Sequence, residues 1–178
     1  MDNKSRIIFL IGFMGTGKSA VAQKFAEMYD WKCRELDMLI EQKENRSISE
    51  IFAQDGEEYF RTVETEVLKD SLRGRQIVLS CGGGTPIKEE NVELMRKNGI
   101  VIWLKAEPET ILERVENDNK RPLLQGNMNL DYIEAMINRR NIYYENASDF
   151  QIDTDQNSIE TICVQIRKIL LKTEDEYV

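Results

Sequence analysis

The chain reads as an α/β protein with a three-layer α/β/α arrangement, a parallel sheet covered by helices on both faces. Apolar runs of strand length, near 6–11, 32–36, 76–80, 100–105 and 149–153, alternate with longer stretches of helical periodicity. The run Ile100-Val101-Ile102-Trp103-Leu104 shows no polar alternation, as a strand buried on both faces requires. The first run passes directly into a glycine-rich turn and then a helical pattern, which is the order of a βα unit. With 178 residues the chain is long enough for one well-cored domain and short for two, so residues 1–178 are read as a single domain.

Taken in order, the first strand ends in Gly-Phe-Met-Gly-Thr-Gly-Lys-Ser at 12–19, which fits G-x-x-x-x-G-K-[ST] at every fixed position. A glycine-rich turn with a solvated lysine is the plainer reading, but strand, motif and helix occur in the sequence a P-loop needs. The backbone of Gly15, Thr16, Gly17, Lys18, Ser19 and Ala20 is then the cradle for the phosphates of a nucleoside triphosphate. Lys18 would reach the β- and γ-phosphates and Ser19 would ligate Mg²⁺. Val21, Phe25 and Met28 follow at helical spacing. Residues 37–73 insert mostly helical sequence, with Phe60, Val63 and Val67 at i, i+3, i+7, and predict a helical subdomain beside the sheet. The helix starting near Glu89 stops at Lys97-Asn98-Gly99, and Pro108 suits the first turn of the next. Residues 116–129 are polar and rich in Asn and Gly around Pro-Leu-Leu, and are read as a mobile lid rather than a plain surface loop. The last six residues read as a frayed end.

Composition narrows the chemistry. An excess of 32 acidic over 24 basic residues gives −8 and argues against a nucleic-acid partner. No apolar stretch approaches the ~18 residues of a membrane span, so no membrane partner is expected. Cys33, Cys81 and Cys163 are widely spaced and histidine is absent, which suggests neither a disulfide framework nor a zinc site and fits a reducing cytoplasm. Without histidine a Ser-His-Asp hydrolase is excluded, and proton transfer falls to carboxylate, lysine, tyrosine, cysteine or water. Nothing in the sequence advertises a dimer surface, so a monomer is expected.

Several residues stand out beyond the P-loop. Asp37 closes the second strand, where it could take the proton of a substrate hydroxyl or simply cap the following helix. Arg61 lies on a helix face between Phe60 and Val63, and either pairs with surface carboxylates or presents a fork to a substrate carboxylate or phosphate. Gly82, Gly83 and Gly84 follow the third strand directly, and three glycines at a sheet's carboxyl edge point to close approach by a ligand. Ser80 before them is a candidate for the metal's water shell. Closure of the lid would bring Arg121 toward the transferring phosphoryl group as an arginine finger supplied in cis, and of the adjacent Arg139 and Arg140, Arg140 is read as part of a solvated helix face.

Together these segments resemble the shikimate kinase family over nearly the whole chain. The resemblance rests on the ordered set Gly-Phe-Met-Gly-Thr-Gly-Lys-Ser, Leu-Asp-Met-Leu-Ile-Glu, Ile-Phe-Ala-Gln-Asp-Gly-Glu-Glu-Tyr-Phe-Arg, Gly-Gly-Gly-Thr-Pro, Arg-Pro-Leu-Leu and Arg-Arg-Asn-Ile-Tyr-Tyr. It implies a P-loop, nucleoside-monophosphate-kinase-like fold with a five-stranded parallel sheet. It also implies transfer of the ATP γ-phosphate to the 3-hydroxyl of shikimate with Mg²⁺, on the route to aromatic amino acids. By the same resemblance Asp37 holds the substrate hydroxyls and acts as base, Arg61 and Arg139 hold the carboxylate, and Gly83 with its glycine neighbours contributes backbone. Arg114 and Gln156 would sit on the adenine side, and Arg121 would engage the phosphates. Two departures are visible: Glu35-Leu36-Asp37 replaces the family's Asp-x-Asp, and Asn141 stands at the proline of Arg-x-Pro-x-Tyr when Arg139 and Tyr143 are aligned to it.

Two other readings compete with this one. A nucleoside-monophosphate or gluconate-type kinase shares the fold, and two arginines grip a phosphate as well as a carboxylate. A nucleotide switch would want Asn-Lys-x-Asp, and the run Asn119-Lys120-Arg121-Pro122 lacks the acid.

Overall fold

A computed structural model of the protein describes residues 7–115 and 129–175. Five strands, β1 (Ile7–Ile11), β2 (Lys32–Glu35), β3 (Ile77–Ser80), β4 (Ile100–Lys105) and β5 (Phe150–Asp153), form one parallel sheet in the order β2-β3-β1-β4-β5. The helices are α1 (Lys18–Tyr29), α2 (Leu36–Glu44), α3 (Ile48–Ser71), α4 (Glu89–Asn98), α5 (Pro108–Val115), α6 (Leu130–Ala147) and α7 (Ile159–Asp175). All five predicted strands are present. Helix α4 stops before Gly99 and α5 starts at Pro108, as the stop and start signals require.

The unbroken apolar runs are explained by parity. Successive side chains of a strand point to opposite faces, so each central strand feeds two cores. Ile8 and Leu10 of β1 pack with Val21 and Phe25 of α1 and Ile162 and Ile166 of α7. Ile7, Phe9 and Ile11 join the other core with Leu36, Val63, Val67 and Tyr144, from α2, α3 and α6. Every residue of β1 and β3 is buried, whereas the edge strand β2 is exposed or half-buried throughout.

The insertion between β2 and β3 consists of α2 and α3. Ser47 and Glu50 close a reciprocal capping box at the start of α3. The helix then breaks at Gly56, whose φ of 82° is left-handed, so its first two turns lean away from the axis of the rest. Because all strands run the same way, the segments following β1, β2 and β3 emerge at one edge of the sheet. That edge carries the P-loop, Asp37 and the triple glycine. The segment read as a lid, and Arg121 within it, lie outside the described residues, except Asn129, whose side chain caps α6 by accepting from the Tyr132 N–H at 2.9 Å.

Candidate active site

At that edge the structure forms a cavity of about 360 Å³ lined on one side by Lys18 and Ser19 and on the other by Asp37, Arg61 and Arg140, with Gly82–Gly84 between. Lys18 and Asp37, nineteen residues and one strand apart, thus face one space. Ile48, Phe52 and Phe60 form an apolar wall, the two phenyl rings packing 4.7 Å apart.

The phosphate side follows from local geometry. Gly17 is the N-cap of α1 and offers no side-chain cap. The first amides of the helix are therefore open to an anion, at the positive end of the helix dipole. Thr16 is buried and its hydroxyl donates to the Phe13 carbonyl at 2.8 Å, which tightens the turn. Lys18 Nζ donates to the carbonyls of Gly12 and Phe13, each at 2.9 Å, so its ammonium already lies along the loop. Arg114 donates to the Gly15 carbonyl at 3.1 Å and to Thr154 Oγ1 at 3.4 Å. This puts Arg114 between the P-loop and the turn after β5, where exposed Gln156 adopts a left-handed φ of 57°.

Next to the P-loop, Ser19 Oγ donates to Glu35 Oε2 at 2.9 Å and lies 3.4 Å from Ser80 Oγ. Burial pushes the Glu35 carboxyl up; the hydrogen bonds from Ser19 and Ser80 and the charge of Lys18 pull it down, and Asp37 pushes it up further. Two hydroxyls and one carboxylate are hard oxygen donors of the kind Mg²⁺ takes when phosphates supply its other ligands. The described residues hold no group of three or more His, Cys, Asp or Glu fit for a metal, so the donor set suits a nucleotide-borne cation rather than a protein cage.

The acceptor side is assembled from distant segments. Asp37 sits in the first turn of α2, and Glu35 rather than Asp37 occupies the N-cap position, so the capping alternative does not apply. Arg61 Nη1 pairs with Glu64 at 2.8 Å, and its Nη2 with Glu57 at 3.3 Å. Glu64 is 1% exposed and also accepts from Thr85 Oγ1 at 2.8 Å. Burial raises the Glu64 carboxyl, and Arg61 opposes the rise. Gly84 is what lets the guanidinium in, since a Cβ there would overlap all three Arg61 head-group atoms. The neighbouring Cys81 is fully buried and its thiol is pushed well up by desolvation, which leaves it inert as a nucleophile.

Helix α6 corrects the expectation for its two arginines. Arg140 is not a solvated surface residue: it lines the cavity, with Cζ 5.6 Å from the centre of the Phe13 ring. Arg139 is exposed and does not line the cavity. Tyr144, four residues beyond Arg140, is 1% exposed, whereas Tyr143 is 39% exposed. One residue along a helix rotates a side chain by about 100°, so the two registers present different faces. Arg140 with Tyr144 keeps the Arg-x-x-x-Tyr spacing, and the proline position then falls on Ile142. Sequence reasoning also missed Glu64, although its i, i+3 spacing from Arg61 was a usable signal.

The family model described as shikimate kinase matches residues 14–171. The chain belongs to the shikimate kinase family. A shikimate kinase from Moorella thermoacetica is 40% identical over 163 residues, covering 92% of this chain and 93% of that one. A solved shikimate kinase from Acinetobacter baumannii, in complex with shikimate, superposes with a TM-score of 0.89 at 32% identity, with 94% of each chain covered. The enzyme from Aquifex aeolicus superposes at 0.77, again 32% identical, with 97% of this chain and 98% of that one covered. Membership makes this chain an ATP-dependent phosphotransferase with an alcohol acceptor, on a P-loop nucleoside-monophosphate-kinase-like fold. Among the described residues no helix is long and apolar enough to cross a membrane.

Proposed function

We propose that the cleft transfers the γ-phosphate of ATP to the 3-hydroxyl of shikimate, a step of aromatic amino-acid biosynthesis, as a cytoplasmic monomer. The observation that carries this reading is a single cavity shared by a P-loop lysine, an aspartate and two guanidinium groups. ATP enters with its phosphates against the amides at the start of α1 and its adenine toward Arg114 and Gln156. Ser19 and Glu35, with Ser80 beside them, would hold Mg²⁺, which when bound supplies charge neutralisation on the phosphates.

On the acceptor side Arg61 and Arg140 fork the carboxylate of shikimate, Arg140 taking the role first read for Arg139. Arg61 already shares its charge with Glu57 and Glu64, so it is held in one orientation before substrate arrives. Gly82, Gly83 and Gly84 let the ring approach backbone. Asp37 orients the 3-hydroxyl and accepts its proton as the phosphoryl group transfers. Arg121, from outside the described residues, supplies the arginine finger.

A coupled assay offering shikimate, gluconate and AMP separately tests this. ADP release with shikimate is the expected result. Turnover of AMP alone, or no ADP above background with ATP, Mg²⁺ and shikimate, overturns it.

A further inference from the structure

Tyr144 presents its hydroxyl to the glycine turn that lines the cleft. Its O–H donates to the Gly83 carbonyl at 2.6 Å, and the Arg140 guanidinium lies beside the same phenol, near enough to oppose the rise in its pKa. The ring is 1% exposed and packs 5.6 Å from the Trp103 ring, so the hydroxyl is delivered from a fixed point in the core. Arg140 is close on the other side as well, since a Cβ built on Gly83 would lie 3.5 Å from its Nη1. Arg140, Tyr144 and the Gly83 peptide, from α6 and the turn after β3, are therefore close neighbours.

We infer that Tyr144 is a positioning residue that fixes the Gly83 peptide and the Arg140 guanidinium relative to each other, and so sets the geometry of the acceptor subsite. This rests on the reading of Arg140 as a carboxylate holder. In a planar trans peptide the C=O and the following N–H point in opposite directions. Anchoring the Gly83 carbonyl thus also aims the Gly84 N–H, in a turn whose glycines have no side chains to hold it. The phenol and the Phe13 ring also flank Arg140 and limit the rotamer freedom it would otherwise lose on each binding event. Desolvation lifts the phenol to about 12, with Arg140 opposing, so the donor proton stays in place at neutral pH.

The experiment is a kinetic cycle of Tyr144→Phe, Arg140→Ala and the double variant, with KM measured separately for shikimate and ATP. Phe keeps the ring and removes only the oxygen. Tyr144→Phe should raise the shikimate KM about tenfold, the loss expected when one buried hydrogen bond is removed, and leave the ATP KM and kcat within about twofold. Once Arg140 is Ala, removing the hydroxyl should add less than about threefold. A parental shikimate KM in Tyr144→Phe, or fully additive effects, overturns the inference while leaving the site reading intact. An unchanged KM in Arg140→Ala sinks the assignment of Arg140, and the inference with it. Should Tyr144→Phe unfold below the assay temperature, Arg140→Lys decides. A parental KM there means that a freely rotating ammonium serves as well as a held fork, and overturns the proposal; a raised KM supports it.

Discussion

The two walls of the cleft are built in different ways. The phosphate wall is one continuous segment, residues 12–20, whose shape is set by its own glycines and by hydrogen bonds spanning three to six residues, such as Thr16 to Phe13 and Lys18 to Gly12. The acceptor wall gathers Asp37, Arg61, Gly82–Gly84 and Arg140 from α2, α3, a turn and α6, so its partners are joined across the fold, as Tyr144 is to Gly83. A nucleotide phosphate is common to many enzymes and is served by a portable motif. The acceptor differs between enzymes, and its site is composed anew from tertiary packing.

That contrast predicts that damage to groups that meet the transferring phosphoryl falls on kcat and damage to the arginines of the acceptor wall on the shikimate KM. The largest effect should come from Arg121→Ala, which removes the finger and should lower kcat by ~10³-fold or more. Asp37→Asn should cost less, ~10²-fold, because in a loose transition state the hydroxyl proton leaves late. Steady-state kinetics that rank the two the other way would make proton removal, not charge stabilisation, the harder part of the reaction.

Next in size is the arginine pair on α6. Arg140→Ala should raise the shikimate KM by roughly 10- to 100-fold with little change for ATP, while Arg139→Ala should stay within about twofold. The reverse pattern would restore the register first taken from sequence. A smaller effect concerns stability at the seam between the walls. Burial raises Glu35 above its ordinary value of 4.5, so the folded state keeps this proton to higher pH than the unfolded chain. Stability from this group is therefore lost as pH rises through that window. Glu35→Gln removes the penalty, and its melting temperature relative to the parent should climb as pH rises above the ordinary carboxylate range. A difference that does not vary with pH would show that Glu35 is not desolvated in the folded protein.

The sheet was legible from the chain because parallel strands leave a strong mark: apolar runs without alternation, separated by helical patterns with their own stop and start residues. The P-loop was legible for the same reason, since each of its requirements is met within eight residues. Arg61 was found by type but not by partner, because Glu64 acquires its meaning only when α3 buries that face against Thr85. Arg139 and Arg140 were indistinguishable by type. A weak amphipathic pattern on α6, with Ile142 and Tyr143 exposed beside buried Tyr144, gave no reliable sign of which side faces inward.

By itself, then, the sequence determined the layer architecture, the family and the nucleotide end of the reaction, all of which depend on near neighbours along the chain. Only the tertiary structure decided which arginine of α6 enters the cleft, what holds Arg61 in place and what anchors the glycine turn. Those outcomes depend on the rotation of a helix about its axis, and a helix is turned by what it packs against.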